Sequence, residues 1–427
     1  PDPDVIRVED TYYMVSTTMH FMPGCEILQS FDLVHWEHVT YVYETLDHTD
    51  AQQLKSGQNI YGQGMWAASL RYHEGRFYIC FVANDTRKTY LYTSEKIDGP
   101  WKKQLIEGFY HDGSLLFDED GRNYIVYGND EIWITELNED LTAPKKDGLH
   151  RLLVSDHKNP ELGYEGSHIQ KINGYYYIFL IHSLRDRWMR TEACFYSDSL
   201  EGEFTGGDVL CDDRGYCGQG VAQGGIVDTP DGKWYAMLFQ DSGAVGRIPI
   251  LLPVTWKDHF PFFGQNGHVP EEIEVHSTRP GYIYQPLVGS DDFCNGLLPR
   301  WQFNHDPDPR YYHLDALQGT YTITTREVCT ELTQAVNTLT QRMSYPSCAA
   351  EVTVDASALK EGDVAGLCAL QGCYAAVGIT KHHGKYEVLM LDKKEDGILD
   401  MTEGTVVESH QMDFRLEADF CNMKDEA

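Results

Sequence analysis

The sequence predicts an all-β protein, a five-bladed β-propeller followed by a β-sandwich. Three observations carry this expectation. A pattern of apolar stretch, tight turn and aromatic-rich strand recurs five times between Asp2 and Phe239. No long stretch of helical periodicity interrupts it. After about Leu287 the rhythm stops, and shorter strands separated by polar turns follow.

The five copies read DPDVIRVEDTYYMVST from Asp2, WAASLRYHEGRFYICF from Trp66, DGSLLFDEDGRNYIVY from Asp112, EGSHIQKINGYYYIFL from Glu165 and QGGIVDTPDGKWYAMLF from Gln223. Their turns are EDT, EGR, DGR, NGY and DGK. Asn-Gly and Asp-Gly favour the φ > 0 conformations of tight hairpins. The aligned aromatics are Tyr13, Tyr78, Tyr124, Tyr177 and Tyr235, spaced by 65, 46, 53 and 58 residues. Units of that size, repeated radially, suit four-stranded blades with insertions.

The register carries chemical information. Trp66, Asp112, Glu165 and Gln223 each stand 12 residues before their tyrosine, and Asp2 stands 11 before Tyr13. Equivalent positions at strand ends form a ring around a propeller axis, so these five are expected at one mouth. Three of them are acids. Like charges gathered in one pocket push pKa values apart, a cost that a purely structural ring has little reason to accept. Binding a metal or capping solvated strand ends is the bland alternative.

Length and composition set the frame. A chain of 427 residues is too long for one ordinary core, so two domains are expected, 1–287 and 288–427. The net charge of −32 repels phosphate backbones and anionic lipid heads, which makes nucleic acid and membrane surfaces poor partners. The 11 cysteines are scattered, with no CxxC pair, and read as free core thiols that lean towards a reducing, cytoplasmic setting. No apolar run approaches the roughly 20 residues of a membrane span. The chain opens on Pro1 without a Met, so the natural start is expected upstream, with a secreted or periplasmic route still open. The sequence does not indicate an oligomeric state.

Three acids in one ring can carry glycoside hydrolysis. One carboxyl protonates the leaving oxygen, a second activates water, and a third tunes the first. There is no GxSxG elbow, HExxH helix or GxxxxGK loop to support another chemistry. The repeat alone does not say which acid takes which role.

The segments PDPDVIRVEDTYYMVSTT, WAASLRY, HDGSLLFDEDGRNYIVYG, GYEGSHIQKINGYYYIFL, GGIVDTPDGKWYAMLFQD and GRIPILLPVTWKDHFPFFG resemble family 43 glycoside hydrolases, in order along the chain. Within that family the chain looks most similar to β-xylosidases and α-L-arabinofuranosidases that carry a second, concanavalin-like β-sandwich. The resemblance implies an inverting mechanism. It assigns Asp2 as general base, Glu165 as general acid and Asp112 as the acid that tunes Glu165 and orients substrate. It also implies that Arg247 contacts substrate or an active-site carboxylate. Trp66 offers a flat face to a sugar or serves the core. His111 and His168 each either line the pocket or serve as satisfied structural histidines.

Two departures stand out. Many members carry a His, which helps hold a central ion or water, where this chain has Gln223. A neutral amide is a poorer ligand, which speaks against calcium at the hub, and the chemistry requires no cofactor. Several members have a Trp-Phe-Pro-Gly stretch; in this chain it is His20-Phe21-Met22-Pro23-Gly24, with Phe21 left as an apolar wall. The expected activity is exo-release of terminal pentose. β-D-xylosidase action on xylo-oligosaccharides is the first choice, and α-L-arabinofuranosidase action on an arabinose-decorated glycan is the second. A non-catalytic carbohydrate-binding propeller is the rival from another class.

In the second domain GTYTITT, CAAEVTVDA, GLCALQGCYAAVGIT and KYEVLML read as antiparallel strands. In relatives a loop of this domain walls off the active-site mouth, and GDVAGLCALQG is the matching stretch. Relatives continue beyond the position of Lys424-Asp425-Glu426-Ala427, so an incomplete sandwich with open apolar faces is expected.

Overall fold

A computed structural model describes residues 1–421. The last six, including Lys424 to Ala427, lie outside the described residues. The chain divides into two compact units, Pro1–Gln341 and Arg342–Ala427. Residues 288–341, which the sequence groups with the sandwich, thus pack into the first unit.

The first unit is a β-propeller built from four-stranded antiparallel sheets that follow one another along the chain, five among the described residues. Their innermost strands are Asp4–Val8, Met65–His73, Ser114–Phe117, Glu165–Ile172 and Ala222–Asp228. Each contacts the next, and the last contacts the first, which closes a ring. Apolar residues on alternating faces interleave between neighbouring sheets. Ile27, Leu70, Ile79 and Phe81 share one such layer, and Ile134, Ile169, Ile178 and Leu180 another, all of them buried.

Among the described residues no shared strand fastens the last sheet to the first. Side chains and a strap do so instead. Arg7 of the first inner strand forms a forked ion pair with Asp228 of the fifth. Downstream, Glu274 accepts the Tyr235 hydroxyl at 2.8 Å, and Thr278 N–H donates to Phe31 O at 2.7 Å. Arg279 pairs with Asp10 at 2.8 Å. Farther on, Gln302–Asn304 pairs with Phe21–Met22 and with Leu339–Thr340 in a small three-stranded sheet.

The axis itself is filled. Arg71 reaches from the second inner strand to Asp4 Oδ2 at 2.7 Å, Ser114 Oγ at 2.7 Å and the carbonyls of Leu115 and Ile169 at 2.8 and 3.1 Å. His168 approaches the other oxygen of Asp4 at 3.2 Å. Asp4 is only 1% exposed. Burial opposes its charge, but Arg71 and His168 hold its carboxyl below the usual range. One cation thereby ties four of the five inner strands together.

The second unit contains two antiparallel sheets. Ser347–Asp355 pairs with Gln411–Asp419, and Val364–Leu370, Tyr374–His382 and Lys385–Lys393 form a sheet edged by two short strands. Ile379 and Phe414 are buried between them, with Val352, Leu367 and Val388 packed alongside. Most of GDVAGLCALQG, where the resemblance implies a loop and the segment GLCALQG reads as strand, is the strand Val364–Leu370, paired along its length with Tyr374–His382. Its apolar alternation belongs to the sandwich core.

Replacing Arg71 by Leu strands a buried carboxylate at Asp4. We expect a loss of about 3–5 kcal/mol in unfolding free energy by urea titration. A loss below about 1 kcal/mol would show that the axis does not depend on this cation.

Candidate active site

The structure corrects the register of the ring. Tyr13, Tyr78, Tyr124, Tyr177 and Tyr235 lie opposite Ile6, Arg71, Leu116, Gln170 and Val227. Two of the hairpins carry longer turns, spanning residues 118–122 and 229–233, than the other three. Counting back from the tyrosines along the chain therefore misplaces some blades by one residue. Measured across the sheet, the equivalent positions are Asp2, Ala67, Asp112, Gly166 and Gln223. Trp66, His111 and Glu165 stand one residue earlier.

The corrected position has a backbone signature. Asp2, Asp112, Gly166 and Gln223 all take left-handed φ values, 47°, 47°, 67° and 60°. The registers shift over the same stretch in the fourth and fifth sheets, between Glu165 and His168 and between Ala222 and Gly225. Such bulges turn side chains out of the ladder and re-aim them. At the mouth they bring Asp112, Glu165 and Asp2 within each other's electrostatic reach, since the charges of Glu165 and Asp2 both act on Asp112.

The three acids have different surroundings. Asp2 is buried and pairs with Arg247, and it accepts the Thr17 hydroxyl at 2.6 Å. Burial disfavours its charge, and Arg247, foremost among the groups that oppose burial, holds its pKa below the usual value, with the Thr17 hydrogen bond adding to it. Asp112 has no such cation. Burial, with Glu165 and Asp2 adding to it, raises its pKa to about 6 against the pull of His111 and of Gly166 N–H, which donates at 3.1 Å. Glu165 is more open, and Asn129 Nδ2 donates to its Oε2 at 2.7 Å. His111 Nε2 lies 3.6 Å from both Asp112 and Glu165, an ion contact longer than a hydrogen bond. Burial opposes charge on this imidazole, but the two carboxylates beside it win and raise its pKa.

The remaining candidates divide. Arg247 also approaches Asp241 at 3.8 Å and lies 4.5 Å above the Phe239 ring. Trp66 is half-buried, its ring 6.0 Å from His111 and its Nε1 donating to Gly62 O at 3.3 Å. Gln223 is buried with its side chain over Gly166, where a Cβ would sit 2.6 Å from Gln223 Cγ. Phe21 stacks on His20 at 4.2 Å, and His20 accepts Gly62 N–H at 3.1 Å, so Phe21 connects to the Trp66 wall at one remove. His168 is bonded to Asp4 in the layer beneath the mouth, which makes it a hub residue.

Sequence reasoning missed Thr17, Asn129 and Asp241. Thr17 follows a second strand, and Asn129 and Asp241 close theirs. Each stands at the end of an otherwise apolar strand, where only alignment of the strand ends across the sheets would have singled it out.

His111, Asp112 and Glu165 offer ligand atoms within 4.8 Å of one another, a donor set suited to a divalent cation as well as to proton transfer. Arg71 and His168 engage both oxygens of Asp4, and Gln223 is packed against Gly166.

A propeller mouth with a paired carboxylate, a buried acid of raised pKa and a third, more open carboxyl has the makeup of a glycosidase. The comparisons agree. Residues 1–261 match the model of glycosyl hydrolases family 43, and residues 290–425 match the β-xylosidase C-terminal concanavalin A-like domain. The chain belongs to glycoside hydrolase family 43, and it is a glycosidase.

It is 27% identical to a β-xylosidase of Formosa agariphila over 92% of this chain and 75% of that one. It is 25% identical to a non-reducing-end α-L-arabinofuranosidase of Bacteroides ovatus, over 75% of this chain and 62% of that one. Among solved structures, a bifunctional GH43-CE protein of Bacteroides eggerthii superposes with a TM-score of 0.91 at 42% identity. That match covers 99% of this chain but only 55% of the other, so this chain spans about half of that protein.

The raised pKa of Asp112 has a consequence for stability. A carboxyl whose folded pKa exceeds its unfolded value stabilises the fold below the unfolded pKa, near 4, and loses that contribution as pH rises through about 6. Asp112→Asn is therefore expected to be more stable than the parent above pH 7, by about 1–3 kcal/mol, with the gap closing below pH 4. Chemical denaturation at pH 4 and pH 8 checks this, and a gap that widens on acidification would contradict it.

Proposed function

We propose that this chain is an inverting, exo-acting glycosidase that releases terminal pentose, β-D-xylose from xylo-oligosaccharides in the first place. The observation that carries the proposal is the unequal treatment of three neighbouring acids. Asp2, held ionised by Arg247, is fitted to accept a proton from water. Glu165 offers Oε1 as the proton carrier, since Asn129 already occupies Oε2.

In the reaction Glu165 gives its proton to the glycosidic oxygen as the C1–O bond breaks. Water attacks C1 from the opposite face, and its proton passes to Asp2. The product has the inverted anomeric configuration, and solvent exchange restores both carboxyls. Asp112, bonded to Gly166 N–H beside Glu165, orients the sugar and the acid. Trp66 supplies an apolar wall. Arg247 holds Asp2 and presents its remaining N–H groups to sugar hydroxyls.

Xylose and arabinofuranose present similar hydroxyl patterns, and relatives named for both activities support α-L-arabinofuranosidase as the second choice. A sugar-binding propeller without turnover has no use for two acids whose proton affinities are pushed in opposite directions beside a third carboxyl.

Proton NMR of the first-formed product is expected to show inversion; retention would overturn the mechanism. Asp2→Ala and Glu165→Ala are each expected to lower kcat on an unactivated xylo-oligosaccharide by about 10²–10⁴-fold. Near-parental turnover by either would refute its role. Side-by-side hydrolysis of nitrophenyl xyloside and nitrophenyl arabinofuranoside ranks the two substrates, and a clear preference for the furanoside would reverse their order.

A further inference from the structure

Behind the mouth lies an acid that the proposed mechanism does not use. Glu192 sits on the strand Arg190–Ser197, opposite Ile181, which in turn faces Glu165. It is 0% exposed. Its Oε2 accepts the backbone N–H of Gln223 at 2.7 Å. Its Oε1 is buried with no hydrogen-bond partner among the described residues. Burial drives its pKa well above the usual carboxyl range, which favours the neutral form, and it makes one hydrogen bond.

A buried carboxyl held by one hydrogen bond is costly, and hydrophobic packing alone would favour an apolar side chain there. The bond it makes explains its presence. Gln223 lies in the bulge between Ala222 and Gly225 with φ of 60°, and the extra residue of a bulge loses its ladder partner. Glu192 takes up that N–H. Gln223 then lays its side chain over Gly166, so closely that a Cβ there would meet Gln223 Cγ at 2.6 Å. Gly166 in turn donates its N–H to Asp112 and is bonded covalently to Glu165.

We propose that Glu192 is a positioning residue: through the Gln223 backbone and the Gly166 bulge it fixes the directions of Glu165 and Asp112. This rests on the roles proposed above for those two acids. Glu192 acts as a hydrogen-bond acceptor, and neither its charge nor its proton takes part in the reaction. The carbonyl of an amide of the same length does the same work.

Kinetics of Glu192→Gln and Glu192→Leu on an unactivated pentoside, across pH, test this. Glu192→Gln is expected to stay within about threefold of the parent in kcat, with the same pH profile. Glu192→Leu leaves the Gln223 N–H unpaired and is expected to lose about 10- to 100-fold in kcat, the scale of a small misplacement of reacting groups. Its KM is expected to change less than about threefold, and the basic limb of its profile to move. A folded Glu192→Leu with parental kcat and profile would overturn the proposal. So would a Glu192→Gln as impaired as the Leu variant, since the carboxyl itself would then matter.

If Glu192→Leu fails to fold, Glu192→Asp decides, because it withdraws the acceptor by one methylene; unchanged kcat would then refute the role. Turnover by the parent in the same assay tests the glycosidase mechanism separately. With that turnover present, a flat response to these variants counts against Glu192 alone.

Discussion

The ion pair between Arg247 and Asp2 governs how the mouth of the propeller distributes its charge. Three carboxyls in one pocket repel one another, and without distinct partners they would compete for the same protons. Arg247 and Thr17 commit Asp2 to the ionised state. Asp112, buried and without a guanidinium partner, is pushed the other way despite the pull of His111. Glu165 lies between the Asn129 amide and the His111 ring, nearer to solvent. Three residues of similar chemistry thus become three different reagents through what surrounds them.

That division needs a rigid frame, and the frame is layered. At the mouth, left-handed residues and bulges aim the acids. One layer beneath, Arg71 gathers Asp4, Ser114 and two carbonyls, and His168 completes Asp4. Around both, apolar residues interleave from sheet to sheet. The ring closes without a shared strand. Arg7 with Asp228 and the strap near Thr278 span the joint between the last sheet and the first. Asp2, the proposed general base, lies just ahead of the first inner strand, so its position depends directly on that closure.

Much of this was legible in the amino-acid sequence. Alternating apolar residues and Asn-Gly or Asp-Gly turns mark the strand pairs, and the repeat leads to the ring of acids. The one-residue errors have a physical origin. Turn length varied between hairpins, and a count along the chain does not see pairing across the sheet, so Trp66 and Glu165 were placed level with Asp2. Thr17, Asn129, Asp241 and Glu192 escaped because their meaning comes from neighbours distant in the chain. The same holds for His168, which looked like a pocket histidine until Asp4 appeared beside it. For GDVAGLCALQG the resemblance points to a loop, whereas the strand reading of its GLCALQG part is the one the structure shows.

The most direct measurement of the central claim is the pH dependence of kcat/KM for Arg247→Met beside the parent. The acid limb of that profile reports ionisation of the general base in the free enzyme. With the guanidinium gone, Asp2 keeps its burial and loses its counterion, so the acid limb is expected to move to higher pH by about one unit or more. An acid limb that stays where it was, in a folded variant that still turns over, would show that Arg247 does not set the charge of Asp2 and that the three acids do not divide their protons in this way.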